Sequence, residues 1–309
     1  MAACAGLLAA ADLAQMSKPF EYSRSSPVDL EQKPAYERGQ VRVLDITYAS
    51  PRGGRVTGFL VEPQEKKRKH AGIVFGHWGP GDRSEFLAEA EMYARAGAVC
   101  VLIDYPWKRP APWHADADDI MEPENAVLLQ AQAVVDLRRG IDLLQARPAV
   151  DAGRIAYIGH SYGAQFGAIL SAVDRRPKAI VLMGGIPDMD SIFLESESAP
   201  IKKYREKNEA QIRSAMKILR ATAAVEYVPF AAPAPLLFQF ARHEWNFGIP
   251  AMERYFQAAS EPKKVLWYET GHELNDPRAL ADRARWIANK VGLADISRWL
   301  QESLASRGK

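Results

Sequence analysis

The chain has 309 residues, with 40 Lys and Arg against 38 Asp and Glu and a formal net charge of +2 at pH 7. Charges of both signs are interspersed along it, so no strong field marks nucleic acid or a membrane surface as the partner, and neither a nucleic-acid role nor stable membrane association is expected. The length suits one domain carrying an insertion, and two cysteines, Cys4 and Cys100, are too few for a disulfide framework.

The opening MAACAGLLAAADLAQ is apolar, yet it lacks a basic leading region and carries Asp12 early. It is also short for a bilayer span, so it does not read as a signal peptide, and a soluble cytoplasmic protein is expected. Residues 1–40 read as a lead-in segment that wraps the surface, with the core domain running over 41–309. VRVLDITYAS and VTGFLVEP flank Gly53-Gly54 and predict an antiparallel hairpin at one sheet edge. The basic run Glu65-Lys66-Lys67-Arg68-Lys69-His70 reads as a solvated loop. AGIVFGHW then begins the buried strands. SEFLAEAEMYARAG has apolar positions at helical spacing from Ser84 to a glycine stop at Gly97, and AVCVLIDYP follows as a strand. A long helix is predicted from about Pro123 to Arg147. RIAYIGH, KAIVLMGG, PLLFQF and KKVLWYE complete the strand series. The sum is an α/β fold, a mostly parallel central sheet with helices on both faces. Residues 185–234, with the charged helix IKKYREKNEAQIRSAMKILR, are too long for an ordinary connection and read as a small helical cap.

Chemistry concentrates at Gly159-His160-Ser161-Tyr162-Gly163, where the fifth core strand stops and a small-residue helix begins at once. That strand, turn and helix context is the one a nucleophile elbow requires, with Ser161 at its apex. A serine hydroxyl is nearly inert at neutral pH and needs a base in reach and an acid to orient the base. His272, in the loop after the last strand, is the expected base, and His243 is the other histidine downstream of the nucleophile. No Asp lies between Asp190 and His272, so Glu244, just after PLLFQF, is the expected acid, with Asp188 after the preceding strand as the runner-up. An oxyanion needs backbone N–H donors: Tyr162 follows the nucleophile, and Trp78 or Gly79 in the loop after AGIVFGH supplies the second. Trp107, Trp113 and Trp245 follow strand ends and are expected to line a pocket for an acyl or aryl group. The pattern contains no nucleotide-binding glycine motif, and neither a metal nor another cofactor is expected.

GIVFGHWGPGDRSEF, VVDLRRGIDLLQARPAVDAGRI, YIGHSYGA and YETGHE together resemble the dienelactone hydrolase and prolyl-oligopeptidase-like branch of the α/β-hydrolase superfamily, over about Val41 to Gly292. The resemblance implies the α/β-hydrolase fold, a cofactor-free esterase, lactonase or peptidase, and a triad on Ser161, Glu244 and His272. The chain departs from that pattern in having Ser161 where dienelactone hydrolases carry Cys, His77-Trp78-Gly79 where His-Gly is usual, and Glu244 where Asp is usual. No propeller precedes the core, so a large oligopeptidase architecture is not expected. The expected function is hydrolysis of a carboxylic ester of a small to medium substrate through an acyl-enzyme. Amide or peptide hydrolysis by the same triad, and an inactive binding protein on the same scaffold, stand as alternatives, and a homodimer is left open.

Overall fold

The computed structural model describes residues 12–65, 69–293 and 296–306. Cys4, the first eleven residues of the apolar start and Lys66, Lys67 and Arg68 of the basic run lie outside the described residues. Among the described residues nine strands form one sheet: β1 (Glu31–Arg38), β2 (Val41–Ala49), β3 (Arg55–Pro63), β4 (His70–Gly76), β5 (Ala98–Ile103), β6 (Val150–His160), β7 (Pro177–Met183), β8 (Leu236–Ala241) and β9 (Lys263–Tyr268). Their order is β1-β2-β3-β5-β4-β6-β7-β8-β9, antiparallel from β1 to β5 and parallel from β5 to β9.

The sheet is central because its middle strands are apolar on both faces. β4 and β5 are buried at every position, as expected where helices cover both sides of parallel strands. One face packs Val74, Val101, Tyr157 and Leu182 against Val134, Leu137 and Ile141 of α2 (Pro123–Ala146) and Phe166 and Ile169 of α3 (Tyr162–Val173). The other packs Ile73, Cys100, Ile158 and Val181 against α1 (Leu87–Arg95) and α8 (Pro277–Val291). Arg283 of α8 and Glu89 of α1 form a buried ion pair at 2.7 Å that ties these two helices together.

Between β7 and β8 come α4 (Met189–Phe193), α5 (Ala199–Leu219) and α6 (Ala224–Tyr227), whereas α7 (Ile249–Ala258) joins β8 to β9 and α9 (Ile296–Ser306) follows α8. Ile212, Ala215, Met216 and Leu219 of α5 pack on Ile120, Ala126 and Met189, so this helix lies over the loop before α2. No described helix is long and apolar enough to cross a membrane.

Four expectations need correction. Residues 31–38, assigned to a surface lead-in, form β1 and pair with β2, so the hairpin of β2 and β3 is not the edge and Ser161 follows the sixth strand. β1 is exposed except for a partly buried Tyr36, so it carries no apolar alternation to announce it and is held by its ladder. The helix expected from Ser84 begins at Leu87, because the Asp82 carboxylate accepts both the N–H and the hydroxyl of Ser84 and holds that stretch in a turn.

Candidate active site

The elbow is formed by close backbone packing. A Cβ built on Gly159 would lie 2.3 Å from the carbonyl oxygen of Gly163, and one on Gly163 would lie 2.1 Å from that of Gly76. Only glycines let β6, α3 and the end of β4 approach this closely. Between them Ser161 takes φ 55° and ψ −113°, a left-handed conformation for a non-glycine residue that costs about 1–3 kcal/mol and persists because its surroundings over-determine it. Its N–H donates to Met183 O at 2.8 Å, and its hydroxyl stands at the first turn of α3.

Ser161 Oγ lies 2.8 Å from His272 Nε2, and His272 Nδ1 lies 2.6 Å from Glu244 Oε2. The other carboxylate oxygen of Glu244 accepts the N–H of Trp245, the N–H of Asn246 and the Asn246 side-chain amide at 2.9–3.0 Å. The Glu244 side chain is 1% exposed and that of His272 4%. Nδ1–H of His272 therefore donates to Glu244, leaving the Nε2 lone pair for the serine proton. The structure thus brings together Ser161, His272 and Glu244. Asp188 is elsewhere: it caps α4, accepting Ser191 N–H and Oγ–H at 2.7 and 2.6 Å. His243 is exposed and 3.4 Å from Glu269.

Of the backbone donors, neither the N–H of Tyr162 nor that of Gly79 has a hydrogen-bond partner among the described residues. Trp78, the other candidate in that loop, is not available, because its N–H is given to Glu85 Oε2 at 2.7 Å. Beside it His77 is buried, its pKa lowered to about 4 by burial. His77 Nε2 accepts the N–H of Tyr105, so the ring proton sits on Nδ1 and donates to Trp78 O.

A cavity of about 380 Å³ borders Gly79 and Tyr162 and is walled by Trp107, Leu129, Gln130 and Asp119. Trp107 Nε1 donates to Gly79 O at 2.9 Å, which holds the indole against the loop that carries Gly79. The loop bearing Trp107 is anchored below by the buried Arg109–Asp136 ion pair to α2. Asp119 accepts the Tyr162 hydroxyl, and burial raises the carboxyl pKa. Trp245 is 57% exposed with its ring 6.2 Å from that of His272, at the mouth of the site. Trp113 is not in the site: its ring packs on the β2–β3 turn, 3.2 Å from a Cβ built on Gly54. The sequence reading did not single out Glu85, which holds Trp78 N–H and His160, Asn246, which holds Glu244, or Asp119, which holds Tyr162, because these contacts are distant in the chain or arise from one loop conformation. No group of three or more His, Cys, Asp or Glu placed to hold a metal occurs among the described residues.

The acetyl xylan esterase (AXE1) family model matches residues 18–111, less than a third of the chain. No curated protein matches in sequence. In shape the chain is similar to an acetyl xylan esterase from Paenibacillus sp. R4, at 19% identity with 90% of this chain and 92% of that one covered and a TM-score of 0.72. It is also similar to acetyl xylan esterase 1 from Thermoanaerobacterium sp. JW/SL YS485, at 15% identity, 88% and 92% coverage and a TM-score of 0.71. The α/β hydrolase GrgF from Penicillium sp. sh18 matches at 14% identity, 81% and 99% coverage and a TM-score of 0.61. The protein has the α/β-hydrolase fold.

Proposed function

We propose that the protein is a serine hydrolase that cleaves a carboxylic ester of a small to medium substrate through an acyl-enzyme. The observation that carries this reading is the unbroken hydrogen-bonded chain from Ser161 through His272 to Glu244 at the apex of the elbow. The partial match to an esterase family model supports the ester as the bond cleaved.

In the reaction His272 Nε2 takes the hydroxyl proton as Ser161 Oγ attacks the carbonyl carbon, and Glu244 stabilises the imidazolium that forms. The N–H groups of Tyr162 and Gly79 receive the oxyanion, each contribution of this kind being about 10²–10³-fold in rate. Collapse expels the alcohol, which takes its proton from His272. Water, deprotonated by the same nitrogen, then releases the acid and restores Ser161. The acyl group is assigned to the cavity beside Trp107 and Tyr162, and the alcohol to the open side by Trp245. The helical stretch over 185–234 serves as the cap of this site, and the protein works as a soluble, cytoplasmic enzyme.

Intact-mass analysis after fluorophosphonate treatment tests the reading without knowledge of the substrate. A single adduct on wild type that is missing from Ser161→Ala is expected, together with loss of hydrolysis of a p-nitrophenyl ester series. A folded wild type that takes no label and cleaves no ester rules the proposal out.

A further inference from the structure

Behind the nucleophile lies a second glutamate and histidine pair that touches none of the reacting atoms. Glu85, in the turn before α1, accepts the Trp78 N–H at one oxygen, 2.7 Å away, and meets His160 Nδ1 with the other at 2.6 Å. The far ring nitrogen of His160, Nε2, donates to the main-chain carbonyl of His272 at 2.9 Å. His160 is 3% exposed, and the Trp78 indole lies nearly parallel to its ring, centroids 6.3 Å apart. A carboxylate and a carbonyl are both acceptors. Either His160 therefore carries a proton on each nitrogen, or Glu85 keeps one and donates it to Nδ1.

Trp78 is held on both of its main-chain groups. Glu85 takes its N–H, while its carbonyl accepts His77 Nδ1–H at 2.5 Å and Gly81 N–H at 3.1 Å. In a trans peptide the carbonyl and the following N–H point in opposite directions, so fixing Trp78 O fixes the direction of Gly79 N–H.

We infer that Glu85 and His160 are a positioning pair, joining the oxyanion loop, the nucleophile elbow and the main chain of the base into one hydrogen-bonded unit that keeps Gly79 N–H and His272 in register with Ser161. This rests on the serine hydrolase reading. The pair joins three segments far apart in the chain, residues 78–85, the end of β6 at His160 and the loop at His272, through three hydrogen bonds. A displacement of about 1 Å at such a site costs about 10²-fold in rate.

The test compares Glu85→Ala, Glu85→Gln, His160→Ala and the double alanine variant with wild type, by fluorophosphonate labelling rate and by kcat and KM on a p-nitrophenyl ester. Each alanine variant is expected to lose about 10²-fold in kcat and in labelling rate, with KM changed by less than about threefold. The double variant is expected to lose no more than the worse single one, since the residues act as a unit. Glu85→Gln retains an oxygen for Trp78 N–H and an amide donor for Nδ1 of a neutral ring, so it is expected within about tenfold of wild type. Should the alanine variants not fold, Glu85→Asp supplies the comparison, because the shorter arm cannot span both partners and its kcat should fall below that of Glu85→Gln. A kcat for Glu85→Ala or Glu85→Asp equal to that of Glu85→Gln, or losses that multiply in the double variant, overturns the inference while labelling of wild-type Ser161 keeps the hydrolase reading. Wild type that takes no label at Ser161 removes both.

Discussion

The sharpest test of the candidate triad is Glu244→Gln, which changes one oxygen to nitrogen and little else. Three donors converge on Glu244 Oε1, the N–H groups of Trp245 and Asn246 and the Asn246 side chain. A glutamine amide must keep its oxygen there, because turning it over would set its NH₂ against all three. The NH₂ is then forced into the place of Oε2, 2.6 Å from His272 Nδ1. It donates to Nδ1, the ring proton moves to Nε2, and the nitrogen facing Ser161 Oγ can no longer accept a proton. In a serine, histidine and acid triad the corresponding exchange costs about 10⁴-fold in turnover, or about 5.5 kcal/mol at 1.36 kcal/mol per tenfold. The assay is kcat and KM on an activated ester, with circular dichroism and a urea midpoint to establish that the variant is folded. We expect kcat to fall about 10⁴-fold with KM changed by less than about threefold. A folded Glu244→Gln protein retaining more than a tenth of wild-type kcat would refute the role given to Glu244.

Asp188→Ala is expected to lose about 1 kcal/mol of stability with kcat retained, since this carboxylate caps a helix; a loss of kcat comparable with that of Glu244→Gln would return it to the triad. His77 stays neutral in the fold down to about pH 4, whereas unfolded it takes a proton near pH 6.5. The unfolded chain therefore binds more protons between those values, and stability falls as the pH falls, by about 3 kcal/mol for this residue; urea unfolding at pH 7 and pH 4 should show wild type losing that much more than His77→Gln. Trp245→Ala is expected to raise KM several-fold, while Trp113→Ala leaves kcat and KM within about twofold and lowers only the melting temperature. Gly159→Ala would set a methyl 2.3 Å from Gly163 O, so about 3 kcal/mol of destabilisation and loss of labelling at Ser161 are expected, measured by thermal melt and intact mass.

The parts of the fold that read correctly from sequence are those whose own residues carry the cause. β6 finishes in the apolar run IAYI just before Gly159, and α2 repeats its apolar face over 24 residues, so each announces itself locally. β1 does not, because EQKPAYER has no alternation and contains Pro34, and only pairing with β2 makes it a strand. The site divides in the same way. Ser161 sits in a glycine frame that is visible in sequence, and His272 and Glu244 follow identifiable strands. Trp107 and Trp113, by contrast, both follow prolines after β5, and only the fold turns one to Gly79 and the other to Gly54. Glu85 and His160 are 75 residues apart, and His160 reaches a carbonyl 112 residues away. No local pattern encodes contacts at that separation.

Glu244 and Glu85 use one device for two purposes. Each gives one oxygen to main-chain N–H groups and the other to an imidazole Nδ1, so each fixes a loop and a ring together. For Glu244 this accommodates the longer side chain: the extra methylene is taken up in a turn built around its own carboxylate, and Oε2 still reaches His272. The two sites differ in what the ring must do next. In the proposed reaction His272 must present a lone pair at Nε2, so its proton has to stay on Nδ1 and its partner has to be a pure acceptor. In the positioning role inferred for it, His160 passes no proton and only has to donate from Nε2 to a carbonyl, so its partner at Nδ1 can be acceptor or donor. The same change, Glu to Gln, should therefore cost about 10⁴-fold at one position and less than about tenfold at the other. That contrast separates the two roles more sharply than alanine substitution at either residue, because neither amide disturbs the packing.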